Sequence, residues 1–298
     1  MPIDRPDPSD APAAPEAPAA PDAPRPRGAP PPPDSAARAA YRARVERSYA
    51  AHRDRTAWAE AVPLLRAAWA EHQRQYPERG RAIPYTHPDN SWTSGETRRL
   101  TPDQNAAVDR GYDRIREIGE RDIVPGMLAV EAVDPTRQLA GFDRRIKGED
   151  RLKEKVADRM RTTGRTPDQA LAEVPDVVRF TFRYSESTYA SGVQGDVKRL
   201  EECGFGKVEL RNTWDNDQYK GINTRWREPK SGVLFEVQFH THASLEAKEL
   251  THRAYERIRS TAFEGERAEL RQFQCRVNSA IPVPPGVAEI EDYPPGGK

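Results

Sequence analysis

Proline is concentrated at the two ends of this chain, and that distribution limits where regular structure can form. Of the 28 prolines in 298 residues, 13 lie in the first 33 positions and five in the last 17. Proline lacks a backbone N–H and interrupts helices and central strands. The first 35 residues also hold almost no large apolar side chain, so burial cannot offset their loss of chain entropy. We therefore predict disorder in residues 1–35 and 282–298, and a folded part between them.

Charge and cysteine content exclude several classes of protein. Lys and Arg together number 47, as do Asp and Glu, so the net charge is zero, whereas a general nucleic-acid-binding protein normally has a basic excess. Two cysteines are too few for a disulfide framework. We find no run of about 18 apolar residues and no basic segment followed by an apolar one. We therefore expect no membrane partner and no classical signal peptide. The expected site of action is cytoplasmic, with export by a leaderless or effector route as the alternative.

Hydrophobic periodicity divides the folded part into two regions. Residues 36–135 are predicted to be mainly helical, with two helices over 36–82 and a polar loop over 83–100. From residue 136, helices alternate with β-branched and aromatic segments typical of strands. The predicted strands are VVRFTFRY (177–184), KVELRN (207–212), INTRWR (222–227) and VLFEVQFH (233–240), and the predicted helices span 149–161, 189–203, 243–261 and 266–278. We predict an α+β fold in which a mixed, mostly antiparallel sheet is flanked by helices over 136–262, followed by a C-terminal helix within 263–281.

The strand VLFEVQFH carries three polar side chains on one face. Alternation places Glu236, Gln238 and His240 together, opposite an apolar face. A carboxylate, an amide and an imidazole in a row must face water, a ligand or a metal. The alternative is an ordinary solvated face of an antiparallel sheet.

A second carboxylate, Asp176, stands at the start of the strand VVRFTFRY. Two carboxylates from neighbouring strands form an oxygen-ligand site of the kind that Mg²⁺ uses together with substrate phosphates and water. We therefore predict Asp176 and Glu236 as ligands of Mg²⁺.

Arg145, Lys147 and Lys155 form a cationic cluster near the start of a predicted helix. A guanidinium fork and ammonium point charges suit a polyphosphate, and a solvated basic face is the alternative. Tyr219 lies in a loop before the hairpin, where it either stacks on a nucleobase or packs inside the protein.

Taken in order over residues 141–258, these segments resemble the synthetase domain of the RelA/SpoT family, the alarmone-making pyrophosphokinases. The matching positions are the ATP-binding Arg145-Ile146-Lys147 and Lys155, the metal-binding Asp176, the base-stacking Tyr219, the strand from Glu236 to Thr241, and His252-Arg253-Ala254-Tyr255 on the next helix. The resemblance implies a nucleotidyltransferase-like synthetase fold. It also implies transfer of the β,γ-pyrophosphate of ATP to the 3′-OH of a purine nucleotide, with release of AMP and with Mg²⁺ as cofactor.

The resemblance also assigns a role to each site residue. The assignments are Asp176 and Glu236 for catalysis and the metal, Arg145, Lys147, Lys155 and Arg151 for the phosphates of ATP, and Tyr219, Asn223, Gln238 and His240 for the acceptor nucleotide. Glu236 would also accept the proton of the 3′-OH.

Several positions depart from the family pattern and bear on the acceptor. His240 replaces the family's Arg, Asn223 replaces a His, Arg151 replaces a Ser, and Arg179 lies earlier in its strand than the usual Arg. With these changes the chain resembles divergent, actinobacterial-type members, among them secreted ATP 3′-pyrophosphokinases and toxin-type synthetases. The pattern slightly favours an adenine nucleotide, giving (p)ppApp, over a guanine nucleotide. A toxin would also have a cognate immunity or antitoxin protein as partner.

Two other functions fit some of the same residues. A toxin with this fold could pyrophosphorylate the 3′ end of tRNA, although the zero net charge argues mildly against an RNA partner. Alternatively, His240, His242 and His252 could bind Zn²⁺ in a metallohydrolase, which leaves the cationic cluster unexplained.

Overall fold

The computed structural model describes residues 57–76, 82–134, 136–261 and 263–295. The predicted disordered segment 1–35, and the first of the two helices predicted in 36–82, lie outside these residues. None of the described helices combines the length and the apolar character needed to cross a bilayer.

Helices and strands alternate along the described residues much as the sequence predicts. The helices are α1 (Ala57–Gln75), α2 (Pro102–Ile118), α3 (Val124–Ala132), α4 (Glu149–Thr163), α5 (Pro167–Ala172), α6 (Tyr189–Glu202), α7 (His242–Ser260) and α8 (Glu264–Ser279). The strands are β1 (Tyr85–Thr86), β2 (Trp92–Ser94), β3 (Arg98–Leu100), β4 (Gln138–Leu139), β5 (Arg179–Tyr184), β6 (Gly206–Asn212), β7 (Ile222–Arg227) and β8 (Leu234–Thr241). The four predicted strands and four predicted helices of the α+β region are therefore confirmed to within two residues at each end.

The main sheet has five strands in the order β4-β5-β8-β7-β6. Strands β5 and β8 are parallel, and the chain between them forms α6 and the β6–β7 hairpin. The other three pairs of neighbouring strands are antiparallel. This arrangement confirms the predicted α+β class with a mixed, mostly antiparallel sheet.

One face of this sheet forms the main hydrophobic core. Phe180 and Phe182 of β5 are in register with Val237 and Phe239 of β8, and all four side chains are buried. Residues from α3 and α6 complete the core, and Trp58 of α1 belongs to the same cluster. The opposite face of the sheet is therefore available for polar side chains.

The segment predicted as a polar loop, 83–100, is instead a small three-stranded antiparallel sheet, β1-β2-β3. Trp92 and Leu100 are buried there against Leu152 and Val156 of α4. The indole Nε1–H of Trp92 donates to Asp150 at 3.0 Å. The prediction was wrong because the apolar partners of these residues lie more than fifty positions further along the chain.

The expected disorder of the C-terminal tail also needs correction for residues 282–295. Leu210, on the edge strand β6, exchanges two backbone hydrogen bonds with Tyr293, at 2.8 and 2.9 Å. Val287 and Ile290 are buried, and the Asn212 amide donates to both of their carbonyl oxygens. An open sheet edge offers unpaired backbone groups, and this proline-rich segment satisfies those of Leu210.

Candidate functional site

Three backbone segments lie side by side at one end of the main sheet. Residues 145–147 pair with the residues that lead into β5: Arg179 N–H donates to Arg145 O at 2.7 Å, and Lys147 N–H donates to Val177 O at 2.9 Å. On the other side, Glu236 N–H donates to Val178 O at 3.0 Å. The predicted cationic segment and the backbone segments that carry the two predicted carboxylates are therefore neighbours at this end of the sheet.

Strand alternation places the polar side chains of these strands on the face opposite the core. Val178 belongs to the core, so Arg179 projects from the other face, where it is in register with Glu236. Gln238 follows on the same face of β8, and β7 contributes Asn223 and Arg225, which are in register with Gln238 and Glu236. We call these five side chains (Arg179, Asn223, Arg225, Glu236 and Gln238) the polar face.

Asp176 lies between two lysines and is ion-paired to both. The Lys155 Nζ is 2.8 and 2.7 Å from its two carboxylate oxygens, and the Lys147 Nζ is 2.9 Å from Oδ2. Burial alone would raise the pKa of Asp176, but the two ammonium groups outweigh burial and hold it below its ordinary value. We call Asp176, Lys147 and Lys155 the Asp176 cluster; at neutral pH its acid is fully ionised.

The structure does not bring the two predicted phosphate-binding arginines into this cluster. Arg145 forms a fork with both oxygens of Glu120, at 2.9 Å each, and its guanidinium lies 4.3 Å from the centre of the Phe142 ring. Arg151 pairs with Glu256 at 2.8 Å and with Glu154 at 3.4 Å. Either arginine has to exchange its acidic partner for a phosphate before it can bind ATP.

Tyr219, Asn223 and His240 form one hydrogen-bonded group at the other end of the polar face. The Tyr219 hydroxyl donates to Asn223 Oδ1 at 2.9 Å and lies 3.0 Å from His240 Nε2. His240 Nδ1 lies 2.9 Å from the Ser244 hydroxyl. Burial raises the pKa of Tyr219 and, together with the charge of Lys248, lowers that of His240 well below its ordinary value. The phenol and the imidazole are therefore both neutral.

This geometry corrects the role expected for His240. Its side chain is fully buried, so it does not reach an acceptor directly but holds the Tyr219 hydroxyl in place. A Cβ at Gly221 would lie 2.7 Å from His240 Cε1, so a glycine is needed for the loop to pack against the imidazole. Tyr219 and Asn223 are thus the members of this group with access to a ligand.

Lys248 belongs to the site and was missed in the sequence. It lies on α7, and its ammonium donates to Gln238 Oε1, while Gln238 Nε2 donates to Glu236 Oε1 at 3.0 Å. Burial, followed by the charge of Arg179, lowers the pKa of Lys248 to about 8. The available signal was its spacing from Ser244 and Thr251, which puts Lys248 on the inward face of the helix.

The sequence suggests two metal sites, one of histidines for Zn²⁺ and one of carboxylates for Mg²⁺. Among the residues that the structure describes, no group of three or more His, Cys, Asp or Glu side chains is placed to hold a metal ion. His252 is 62% exposed and pairs with Glu256, so the alternative zinc site is not formed. Mg²⁺ needs only one or two carboxylates when phosphates and water supply its other ligands, and Asp176 and Glu236 lie on neighbouring backbone segments.

Comparisons with known proteins give weak similarities. No protein-family model matches the chain, and no curated protein is significantly similar to it. Among solved structures, small alarmone synthetase 2 from Bacillus subtilis has 14% identity and a TM-score of 0.39, covering 58% of this chain and 90% of that one. Small alarmone synthetase 1 from the same organism has 14% identity and a TM-score of 0.35, covering 59% and 87%.

A third solved structure is a GTP pyrophosphokinase family protein from Streptococcus pneumoniae. It has 14% identity and a TM-score of 0.36, covering 59% of this chain and 84% of its own. At these values the matches record what the chain is similar to, and they assign it neither a family nor an activity.

Proposed function

We propose that this chain is a nucleotide 3′-pyrophosphokinase of the RelA/SpoT type, which transfers the β,γ-pyrophosphate of ATP to a purine nucleotide. The observation that supports the proposal most strongly is that three elements lie on or beside the polar face, from one end of it to the other. These are the Asp176 cluster, the carboxylate of Glu236 and the Tyr219–Asn223 pair. They supply phosphate-binding cations, a proton acceptor and an aromatic ring with a polar neighbour.

The proposed reaction needs positioning and charge neutralisation more than covalent catalysis. The 3′-oxygen of the acceptor forms a bond to the β-phosphorus of ATP. The bond from the β-phosphorus to the bridging oxygen breaks, and its electron pair leaves with AMP. Glu236 accepts the 3′-OH proton, and the hydrogen bond from Gln238 fixes the orientation of its carboxylate.

On the donor side, Lys147 and Lys155 neutralise charge on the phosphates of ATP. Arg145 adds a guanidinium fork after releasing Glu120. Asp176 and Glu236 would hold Mg²⁺, which supplies further neutralisation of the polyphosphate when bound. The two lysines already satisfy both oxygens of Asp176, so ATP and the metal together replace an existing set of ion pairs.

On the acceptor side, the neutral Tyr219 ring provides a surface for a purine base. Its hydroxyl is fixed by Asn223 and His240, so the ring has little freedom to move. We favour an adenine nucleotide slightly over a guanine nucleotide as acceptor. Modification of a tRNA 3′ end, a toxin role and an immunity partner stay proposals of lower rank.

The test is to incubate the purified full-length chain with Mg²⁺ and γ-labelled ATP, alone or with ADP, AMP, GTP, GDP or tRNA. We expect label in a 3′-pyrophosphorylated purine nucleotide and an equal amount of AMP. Glu236→Gln should abolish the product, whereas Glu249→Gln, a nearby exposed acid on α7, should not. Labelled orthophosphate as the only product would contradict the proposal, and labelled tRNA would identify the lower-ranked acceptor.

A further inference from the structure

The cations near the site differ in whether a carboxylate neutralises them. Lys147 and Lys155 are paired with Asp176, and Arg225 is paired with Glu209 at 3.0 Å. Among the described residues, Arg179 and Lys248 have no ion pair, and the contact of Lys248 is with the neutral amide of Gln238. Arg179 of the polar face and Lys248 of α7 are thus two cations that form no ion pair within the described part of the chain.

Arg179 and Lys248 come from different elements but lie close to one another. Arg179 projects from β5 beside Glu236, and Lys248 reaches from α7 to Gln238, the next inward residue of β8. The charge of Arg179 contributes to lowering the pKa of Lys248 and also of Lys147. The charge of Arg179 therefore acts both on Lys147 of the Asp176 cluster and on Lys248.

Glu236 is the nearest acid by register, and its charge raises the pKa of Lys248, but burial and the charge of Arg179 outweigh it. Its Oε1 accepts from Gln238 Nε2, and no hydrogen bond joins it to Arg179 among the described residues. Two partly buried cations that repel each other and form no ion pair with an acid among the described residues are stabilised by an anion that both can contact. A guanidinium fork beside an ammonium is well suited to phosphate oxygens.

We propose that Arg179 and Lys248 form a second phosphate-binding subsite, separate from the Asp176 cluster and adjacent to Glu236. Its ligand is a phosphate or pyrophosphate group of a nucleotide. This inference deepens the proposed function and rests on it for the identity of the nucleotide, because the group belongs either to the transferred pyrophosphate or to the acceptor's 5′-phosphates.

The direct test uses inorganic pyrophosphate as the probe, with the full-length chain in EDTA at pH 7 and isothermal titration calorimetry. Arg179→Gln and Lys248→Met should each weaken binding at least tenfold. Arg225→Gln removes a cation from the same face, also in register with Glu236, but one that is already paired; it should change binding less than twofold. Lys248→Arg keeps the charge and should retain most of the affinity.

The subsite is refuted if wild type does not bind pyrophosphate, or if Arg179→Gln and Lys248→Met bind it like wild type. Circular dichroism and urea unfolding show whether each variant is folded. If Lys248→Met does not fold, the comparison of Arg179→Gln with Arg225→Gln decides the question.

Steady-state kinetics then identify the source of the phosphate. If the subsite takes the transferred group, Arg179→Gln lowers kcat/KM for ATP equally with phosphorylated and unphosphorylated acceptors. If it takes the acceptor's 5′-phosphates, the loss is large with ADP or GDP and absent with adenosine or guanosine. Should wild type bind pyrophosphate at this pair but make no 3′-pyrophosphorylated product, the proposed function fails and the subsite stands.

Discussion

The two carboxylates of the candidate site both lie near cations, but they differ in whether they are ion-paired. Asp176 has both oxygens held by ammonium groups and only 14% of its side chain is exposed. Glu236 accepts a hydrogen bond from an amide, while the two nearby cations, Arg179 and Lys248, form no ion pair with any residue that the structure describes. One end of the site is therefore neutralised within the protein, and the other end keeps positive charge available to a ligand.

Because of this difference, we expect the two acids to contribute differently to the stability of the fold. An ion-paired acid stabilises the fold because its removal leaves buried charges without a counter-charge. Glu236 accepts a hydrogen bond from an amide and forms no ion pair within the described residues, so it should contribute less to the fold, and its carboxylate can be kept for the reaction. We expect substitutions at the two acids to have similar consequences for catalysis but different consequences for stability.

The largest expected effect is the loss of transfer in Glu236→Gln. The amide keeps the shape and the acceptor oxygen but takes no proton, and a positioned general base typically contributes about 10² to 10⁴ in rate. We expect a decrease on the order of 10³ in kcat, measured as initial rates of AMP and labelled product formation. Glu249→Gln is the matched control, and near-wild-type activity in Glu236→Gln would show that the carboxylate is not the proton acceptor.

The second expected effect is a difference in the free energy of unfolding between substitutions at Asp176 and at Glu236. Asp176→Asn leaves Lys147 and Lys155 facing an uncharged amide, and we expect a loss of about 1–3 kcal/mol in the free energy of unfolding after allowing for partial exposure of the lysines. Glu236→Gln should lose less than about 0.5 kcal/mol, because an amide still accepts the hydrogen bond from Gln238. Urea unfolding at pH 7 measures both, and equal losses would contradict the contrast between the two acids.

The contribution of Asp176 should also depend on pH. Its pKa in the folded state lies below the ordinary value of 3.8, so below that pH the unfolded chain binds the proton that the folded protein does not. Stability from Asp176 is therefore complete above about pH 4 and is lost as pH falls through the lower folded pKa. Urea unfolding from pH 5 to pH 2 should show a steeper acid loss in wild type than in Asp176→Asn.

Lys248 should lower the stability of the folded protein at neutral pH, whereas Asp176 raises it. Its pKa falls from 10.5 to about 8, so between those values the unfolded chain keeps a proton that the folded protein has released, and stability rises with pH. The groups facing its ammonium are Arg179, Glu236, Glu249 and Arg144. We expect Lys248→Met to be more stable than wild type at pH 7, by on the order of 1 kcal/mol after discounting for exposure.

That difference should disappear near pH 10.5, and also at pH 7 when saturating pyrophosphate is added to wild type. Parallel stability curves for wild type and Lys248→Met across pH 7 to 10.5 would show that the lysine carries no buried-charge penalty. The same result would weaken the case for an unpaired cation at this end of the site.

Local sequence signals predicted the strands of the site well. INTRWR was assigned the same bounds that β7 has, and VLFEVQFH is displaced by one residue from β8. Both strands are short, alternate clearly and flank a turn, so neighbouring residues determine them. The ion pairs of Asp176 with Lys147 and Lys155 were not predicted, because the sequence assigned the acid to a metal and the lysines to the phosphates of ATP.

Features that depend on distant partners were not predicted. Trp92, Ser94 and Arg98 form strands because their side chains bond to Asp150, Glu154 and Asp158, successive turns of α4. Lys248 joins the site because α7 folds back over β8. The ion pairs that hold Arg145 and Arg151 away from the Asp176 cluster likewise involve residues remote in sequence. Such contacts leave no periodic signal in their own segment.

The smallest expected effect concerns the hydroxyl of Tyr219. Removing the hydroxyl alone separates the contribution of its hydrogen bonds from that of the stacking ring. Tyr219→Phe keeps the ring but leaves Asn223 Oδ1 and His240 Nε2 without their partner, which costs about 1 kcal/mol of stability. We expect the KM for the acceptor to rise about threefold and the KM for ATP to stay unchanged, whereas Tyr219→Ala should raise the acceptor KM at least tenfold, since base stacking is worth about 1–3 kcal/mol. Equal acceptor KM values in both variants would mean that the ring does not contact the base, and would leave Tyr219 as a residue that only packs against His240.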